Sequence, residues 1–354
     1  MGKIKHRTSM QDIADRLGLH RATISLALRD DPSIPEVTRQ RVKDQAAALG
    51  YIKNPYVSAW MQQVRSLESA HMGASLALLK CEYGPSETRA VIYNLLLDAA
   101  RHQAKSLGFS ITELTIPPNE TSTASIQRIL RARGISGVLI FDPLALLNRR
   151  QIDFLERDFA TVVLLRCGVV GLYNCVTVDL AHNMIVLLDA LEHRGFRRIG
   201  LVLPAKTTKP GINRLVVPQY LYWQYNRPVN ACLPLLPCVD DYRDEDLRQW
   251  LELHRPDVVI VCRPPNLEQL RKIGIKAPAD LSVALMGTEI ETEYSGICNN
   301  IGEVGKTAVS FLAQEINLNH FGLPRAPVSV FIPGRWADGA TVCPVENGKP
   351  QTTF

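Results

Sequence analysis

The chain has no pair of cysteines at Cys-x-x-Cys spacing. Its eight cysteines stand singly at 81, 167, 175, 232, 238, 262, 298 and 343, and no Cys/His cluster has zinc-ligand spacing. A zinc ribbon and a thioredoxin-like redox pair are therefore not expected, and no metal is assigned. Cys81, Cys167 and Cys262 end apolar runs and read as small core residues. Also missing are a Gly-x-Gly-x-x-Gly turn, a P-loop, a Gly-x-Ser-x-Gly elbow and a His-Glu-x-x-His helix. The common anchors of dinucleotide, nucleotide and acyl-transfer chemistry are thus absent. The eight histidines form no ligand pair at helical spacing, and nothing in the sequence pairs two carboxylates as acid and base. No apolar run reaches the length of a membrane span. The polar first residues lack the layout of a secretory signal. The expectation is a cytoplasmic protein that is not an enzyme and needs no cofactor.

The chain is 354 residues long, too long for one ordinary core, so two or three domains are expected. Hydrophobic residues make up 46% and charged residues 21%, as in ordinary globular proteins. The net charge of +5 is unevenly placed. Residues 1–66 hold 11 Lys/Arg against 6 Asp/Glu, and the remainder balances at 29 of each. The whole cationic excess therefore sits at the amino terminus, where it suits phosphate contact. The alternative, a solvated basic tail, fits poorly because these charges fall on a patterned helical segment.

That segment has a clear local grammar. Ser9 with Asp12 three residues on forms a capping box, so a helix starts at Met10. Ile13, Ala14 and Leu17 share a face. Gly18 allows a sharp turn into a second helix. There Ala22, Ile24, Ala27 and Leu28 face inward, leaving Arg21, Thr23 and Ser25 outside. A second helix with a polar, cationic outer face and small residues near its start can enter a DNA major groove. The competing reading is a small helical unit with no nucleic-acid role.

Ile13-Ala14, Gly18, Ala22-Thr23-Ile24-Ser25, Thr38-Arg39 and Tyr51-Ile52 together resemble the amino-terminal domain of the LacI/GalR family of bacterial repressors. The resemblance implies DNA contacts from Ser9, Arg21, Ala22, Thr23, Ser25, Leu26 and Asn54. It also implies a hinge helix after Pro55 that folds on the operator and wedges an apolar side chain into the minor groove. The family's leucine position falls on Trp60 and its small position on Val57. A shift of one residue puts Met61 at the wedge and Ser58 at the small position. Trp60 is large for that slot, and packing on the partner hinge or on the core is an equal alternative.

From Ala74 short apolar strands alternate with amphipathic helices, which predicts α/β architecture with doubly wound parallel sheets. Strands are expected at 76–79, 110–114, 137–141, 161–165, 199–203, 232–236, 258–261, 282–286 and 328–332. Helices are expected near 88–107, 123–133, 181–194, 214–225, 243–254 and 303–318. Val176-Thr-Val-Asp179, Gly195-Phe-Arg-Arg-Ile-Gly-Leu201, Arg255-Pro-Asp-Val258, Pro278-x-Asp-Leu-Ser-Val283 and the helix from Ile301 to Leu318 extend the resemblance. They match the family's two-lobed, periplasmic-binding-protein-like core. The implied domains are an all-α helix-turn-helix at 1–54 and a hinge at 55–66. A first lobe takes 73–178 and 300–321, a second takes 179–298 and 325–343, and 344–354 is a tail. Crossings between lobes fall near 177–180, 298–302 and 321–326.

Ligands of open parallel sheets bind beyond the carboxyl ends of the strands. This rule nominates Cys81-Glu82-Tyr83, Asp142-Pro143, Arg166, Pro204–Arg214, Arg263 and Gly287–Glu289. Glu82, Tyr83, Asp142, Arg214, Arg263, Glu289 and His182 are the candidate effector residues. Arg214 resembles the arginine with which the family holds effector hydroxyls. Three positions depart from the family: Asn183 and Val217 replace glycines, and Gly287 stands where an acid is usual. The expected function is a dimeric regulator, in the manner of a repressor, that binds a palindromic operator and senses a small polar molecule such as a sugar. Two alternatives remain: a small-molecule binding protein without a DNA role, and a regulator without effector control.

Overall fold

The computed structural model describes residues 10–28, 30–49, 51, 74–81, 87–116, 123–141, 149–165, 172–203, 212–236, 243–262, 264–288 and 294–343. The first unit is three helices: α1 (Met10–Leu17), α2 (Arg21–Ala27) and α3 (Glu36–Ala48). Ile13, Ala14, Ile24, Ala27, Val42 and Ala46 form its buried centre. Gly18 adopts φ +65°, and the Leu19 N–H returns to the Ala14 carbonyl at 3.1 Å. That left-handed step costs a glycine little and turns α1 into α2 within three residues. Arg39 of α3 ties down the loop before it, bonding to the Glu36 carboxylate and, at 3.1 Å, to the Asp31 carbonyl.

The first lobe is a six-stranded, all-parallel sheet in the order β10-β5-β4-β3-β1-β2. Its strands are β1 (Ala74–Cys81), β2 (Phe109–Ile116), β3 (Gly137–Phe141), β4 (Ala160–Leu164), β5 (Asn174–Val178) and β10 (Ser329–Ile332). Alternate residues serve opposite faces, as strand pleating requires. Leu76, Leu78, Leu139 and Phe141 pack toward α4 (Glu87–Ser106) and α12 (Ile301–Asn317). Ala77, Leu79, Val138 and Ile140 pack toward α5 (Ala124–Ala132), α6 (Arg149–Ile152) and α7 (Leu155–Asp158). Each large apolar side chain buried this way contributes about 1.5–3 kcal/mol.

The second lobe has the order β11-β9-β8-β7-β6. β6 (Ile199–Val202), β7 (Val258–Val261), β8 (Ser282–Thr288) and β9 (Gly296–Cys298) are parallel, and β11 (Arg335–Ala337) runs antiparallel to β9. One face carries α8 (Leu180–His193) and α9 (Ile212–Tyr225). The other carries α10 (Asp244–His254) and α11 (Pro264–Lys272).

Two sequence expectations are corrected. Residues 232–236 form no strand. Pro234 has no N–H for a ladder, and side chains take the carbonyls instead. Gln224 Nε2 donates to Leu233 O at 2.7 Å and Trp250 Nε1 to Pro234 O at 3.1 Å. The third crossing lies at Pro333–Gly334, not at 321–326, because β10 pairs with β5 before β11 joins the second sheet. Residues 329–332 therefore belong to the first lobe.

Candidate DNA-reading face and effector site

α2 presents two kinds of side chain. Ile24 and Ala27 are buried against α1 and α3, while Thr23, Ser25 and Leu26 are half-buried. Arg21 and Ala22 occupy the first turn of α2, the end a major groove would meet first. Ser9, Asn54, Val57, Trp60 and Met61 lie outside the described residues, and so does the whole expected hinge. Arg16 and Arg41 are exposed. Arg39 and Lys43 are engaged internally, the latter with Asp30 at 2.5 Å. The Arg39 of the matching Thr38-Arg39 pair is thus a structural staple, a role its sequence position did not reveal.

In the core, β1, β3, β4, β6, β7 and β8 end beside the loops that sequence reasoning nominated. Glu82, Tyr83, Asp142, Arg166, Arg263 and Glu289 lie outside the described residues. His182 and Arg214 are described, and both are exposed. Each sits in the first turn of its helix, α8 or α9. Because α8 leads into β6 and α9 leaves it, both helices start at the carboxyl end of that strand. The His182 backbone N–H caps α8 through the Asp179 carboxylate at 3.0 Å, which leaves its ring free of that task.

Several groups escaped sequence reasoning. Near the end of β1, Lys80 Nζ lies 3.5 Å from the Glu113 carboxylate and 4.5 Å from the centre of the Tyr93 ring. Arg101 pairs with the same carboxylate, and Tyr93 donates its hydroxyl to it. Burial first, then the hydrogen bond to Glu113, pushes the Tyr93 hydroxyl far above the ordinary tyrosine range, so it remains a donor. The other group is a buried amide node, Asn183 with Asn299 beside Gly287 and Gly334. A Cβ at Gly287 would lie 2.3 Å from Asn299 Nδ2. A side chain at 287 would therefore require Asn299 to move. Among the described residues no group of three or more His, Cys, Asp or Glu could hold a metal, and no helix is long and apolar enough to cross a membrane.

No family model matches the sequence, and no curated protein does. Solved structures do match. A LacI family transcriptional regulator, CCPA, from Weissella paramesenteroides with bound glucose is 14% identical, with a TM-score of 0.56. The match covers 77% of this chain and 99% of that one. The transcriptional regulator CelR in complex with cellobiose is 17% identical, with a TM-score of 0.53, over 95% of this chain and 100% of that one. The lac repressor dimer bound to operator and the anti-inducer ONPF is 15% identical, with a TM-score of 0.53, over 95% of this chain and 99% of that one. The chain has the fold of the LacI-family regulators. The CelR and lac repressor matches are long enough to take in more than the core.

Proposed function

We propose that the chain is a dimeric transcriptional regulator, a repressor in the LacI/GalR manner, acting in the cytoplasm without enzymatic activity. α2 reads a palindromic operator, the hinge enters the minor groove, and a small polar effector, a sugar, binds between the lobes. The observation that supports this most is the order of parts. A three-helix unit with a glycine turn and the whole cationic excess precedes a core of LacI-type fold. Effector binding changes the lobe angle and shifts the population between operator-binding and released states, with reciprocal linkage between the two ligands.

Selection of operators from a random duplex pool tests the reading directly. Arg21→Ala is expected to cost about 1–3 kcal/mol and to relax preference at one base pair per half-site. Leu26 offers only apolar contact to a thymine methyl. An unchanged selected sequence and affinity in Arg21→Ala would place the reading face elsewhere. The full chain at micromolar concentration without DNA is expected to sediment at twice the monomer mass, because half-sites one turn apart need two heads at fixed spacing. A clean monomer would count against the dimer.

A second reading, a regulator without effector control, is favoured by one observation. Gly287 takes the place of the family's usual acid and is closed over by Asn299. Calorimetry against a panel of sugars separates the two readings.

A further inference from the structure

Two of the three crossings between lobes meet at one buried side chain, which stands four residues beyond the remaining one. Asn183, fully buried in the first turn of α8, donates from Nδ2 to Asn299 Oδ1 at 3.1 Å. Its Oδ1 accepts from the Gly334 N–H at 2.7 Å. α8 follows the first crossing, Asn299 lies in the second, and Gly334 lies in the third. Contacts around the node are tight. A Cβ at Gly334 would stand 2.5 Å from Ile297 Cγ2, 2.7 Å from Cys298 O and 2.8 Å from Asn183 Nδ2. Asn299 also donates its N–H to Thr288 O at 3.0 Å, fixing it to the end of β8. Every bond of this node is therefore made to the second lobe.

A separate set of bonds belongs to the first lobe. The Asp179 N–H donates to Ile332 O at 2.9 Å and extends the β5–β10 ladder by one rung. Between the two sets lie Asp179, Asn300 and Pro333. Asn300 holds φ +51° and donates Nδ2 to Pro333 O at 2.7 Å. We infer that Asn183 is a positioning residue that pins the second and third crossings to α8 of the second lobe, just beyond the first crossing, and confines any change of lobe angle to Asp179, Asn300 and Pro333.

The physical case rests on satisfaction. A buried amide with its partners in place specifies one arrangement, whereas loss of that side chain strands the half-buried Gly334 N–H and the buried Asn299 side-chain carbonyl. Movement of the crossings past the node breaks two such bonds, and movement on the first-lobe side breaks neither. As a device for effector response the inference rests on the regulator reading above; as a pin it does not.

Hydrogen exchange on the full-length chain, in wild type, Asn183→Ala, Asn299→Ala and the double variant, tests it. Peptides covering 296–303 are expected to exchange roughly tenfold faster in either single variant, and those covering 329–337, whose Gly334 N–H bonds to Asn183, in Asn183→Ala. The double variant should add little to that, since both substitutions break one node. Peptides of β3 and β7 should not change. Equal acceleration in β3 and β7 means that Asn183 only supports global stability, and no acceleration at 329–337 in Asn183→Ala means that it pins nothing; either result overturns the inference. If Asn183→Ala does not fold, Asn183→Gly carries the same expectation. The two readings fail separately. Loss of operator binding without local exchange refutes the pin alone, and the local signature in a chain that binds no duplex DNA refutes the regulator alone.

Discussion

Raising salt from about 50 to about 200 mM is expected to weaken operator binding by the full-length protein roughly ten-thousandfold. The expectation follows from where the charge sits. Residues 1–66 carry the entire cationic excess, and the rest of the chain is balanced. Not every cation there is free to meet a phosphate. Arg39 is paired with Glu36 and is only 18% exposed, and Lys43 is paired with Asp30. Arg41 reaches back to the Leu17 carbonyl at 3.5 Å, a long contact that DNA can replace. Two heads then make on the order of eight phosphate contacts, and each adds about −0.9 to the slope of log affinity against log salt. The resulting slope of about −7 over a fourfold change in salt gives about four orders of magnitude. Fluorescence anisotropy across a salt series measures it. A slope near zero would sink the DNA-binding reading.

The strongly periodic parts of this chain were legible in its sequence. Ile13, Ala14 and Ile24 around Gly18 announced the turn between α1 and α2, and each is buried or half-buried where the pattern puts it. Strands such as 137–141 and 258–261 were legible because sheets covered on both faces demand continuous apolar runs. The run at 232–236 looks the same, yet Pro234 denies it a ladder. The third crossing was misplaced because β10 is an exposed edge strand whose apolar pattern does not say which sheet it joins. β9 and β11 have three residues each, too short for any period. Sequence patterns favour ends of elements, so His182 and Arg214 stand out in sequence as helix-start residues. The Asn183–Asn299 pair does not, since 116 positions separate its members and burial alone reveals the bond.

The same limit applies to the glycines of α12, and it yields a test with opposite signs three residues apart. Gly302 and Gly305 look alike in sequence, both inside a helical pattern. In an open helix, alanine in place of glycine gains up to about 1 kcal/mol through propensity and reduced freedom of the unfolded chain. A Cβ at 302 meets only Ala99 Cβ at 3.6 Å, an ordinary contact. Gly302→Ala is therefore expected to stabilise by about 0.5 kcal/mol. At 305 the Cβ would stand 2.4 Å from the backbone carbonyl oxygen of Leu96 and 3.3 Å from the Ala100 nitrogen. Backbone cannot swing aside as a side chain can, so α4 and α12 would have to separate. Between them lie Leu96, Ala100, Val304, Ala308 and Leu312, all fully buried, and separation would loosen every one of those contacts. Overpacking of this kind costs about 1–3 kcal/mol and here lies at the upper end, because it outweighs the propensity gain. Gly305→Leu should fail to fold. Urea unfolding followed by circular dichroism reads both changes as shifts of midpoint at constant slope. If Gly305→Ala raises the midpoint as Gly302→Ala does, the two helices do not approach as closely as this packing requires. The first lobe would then be held together by its sheet and not by this helix pair.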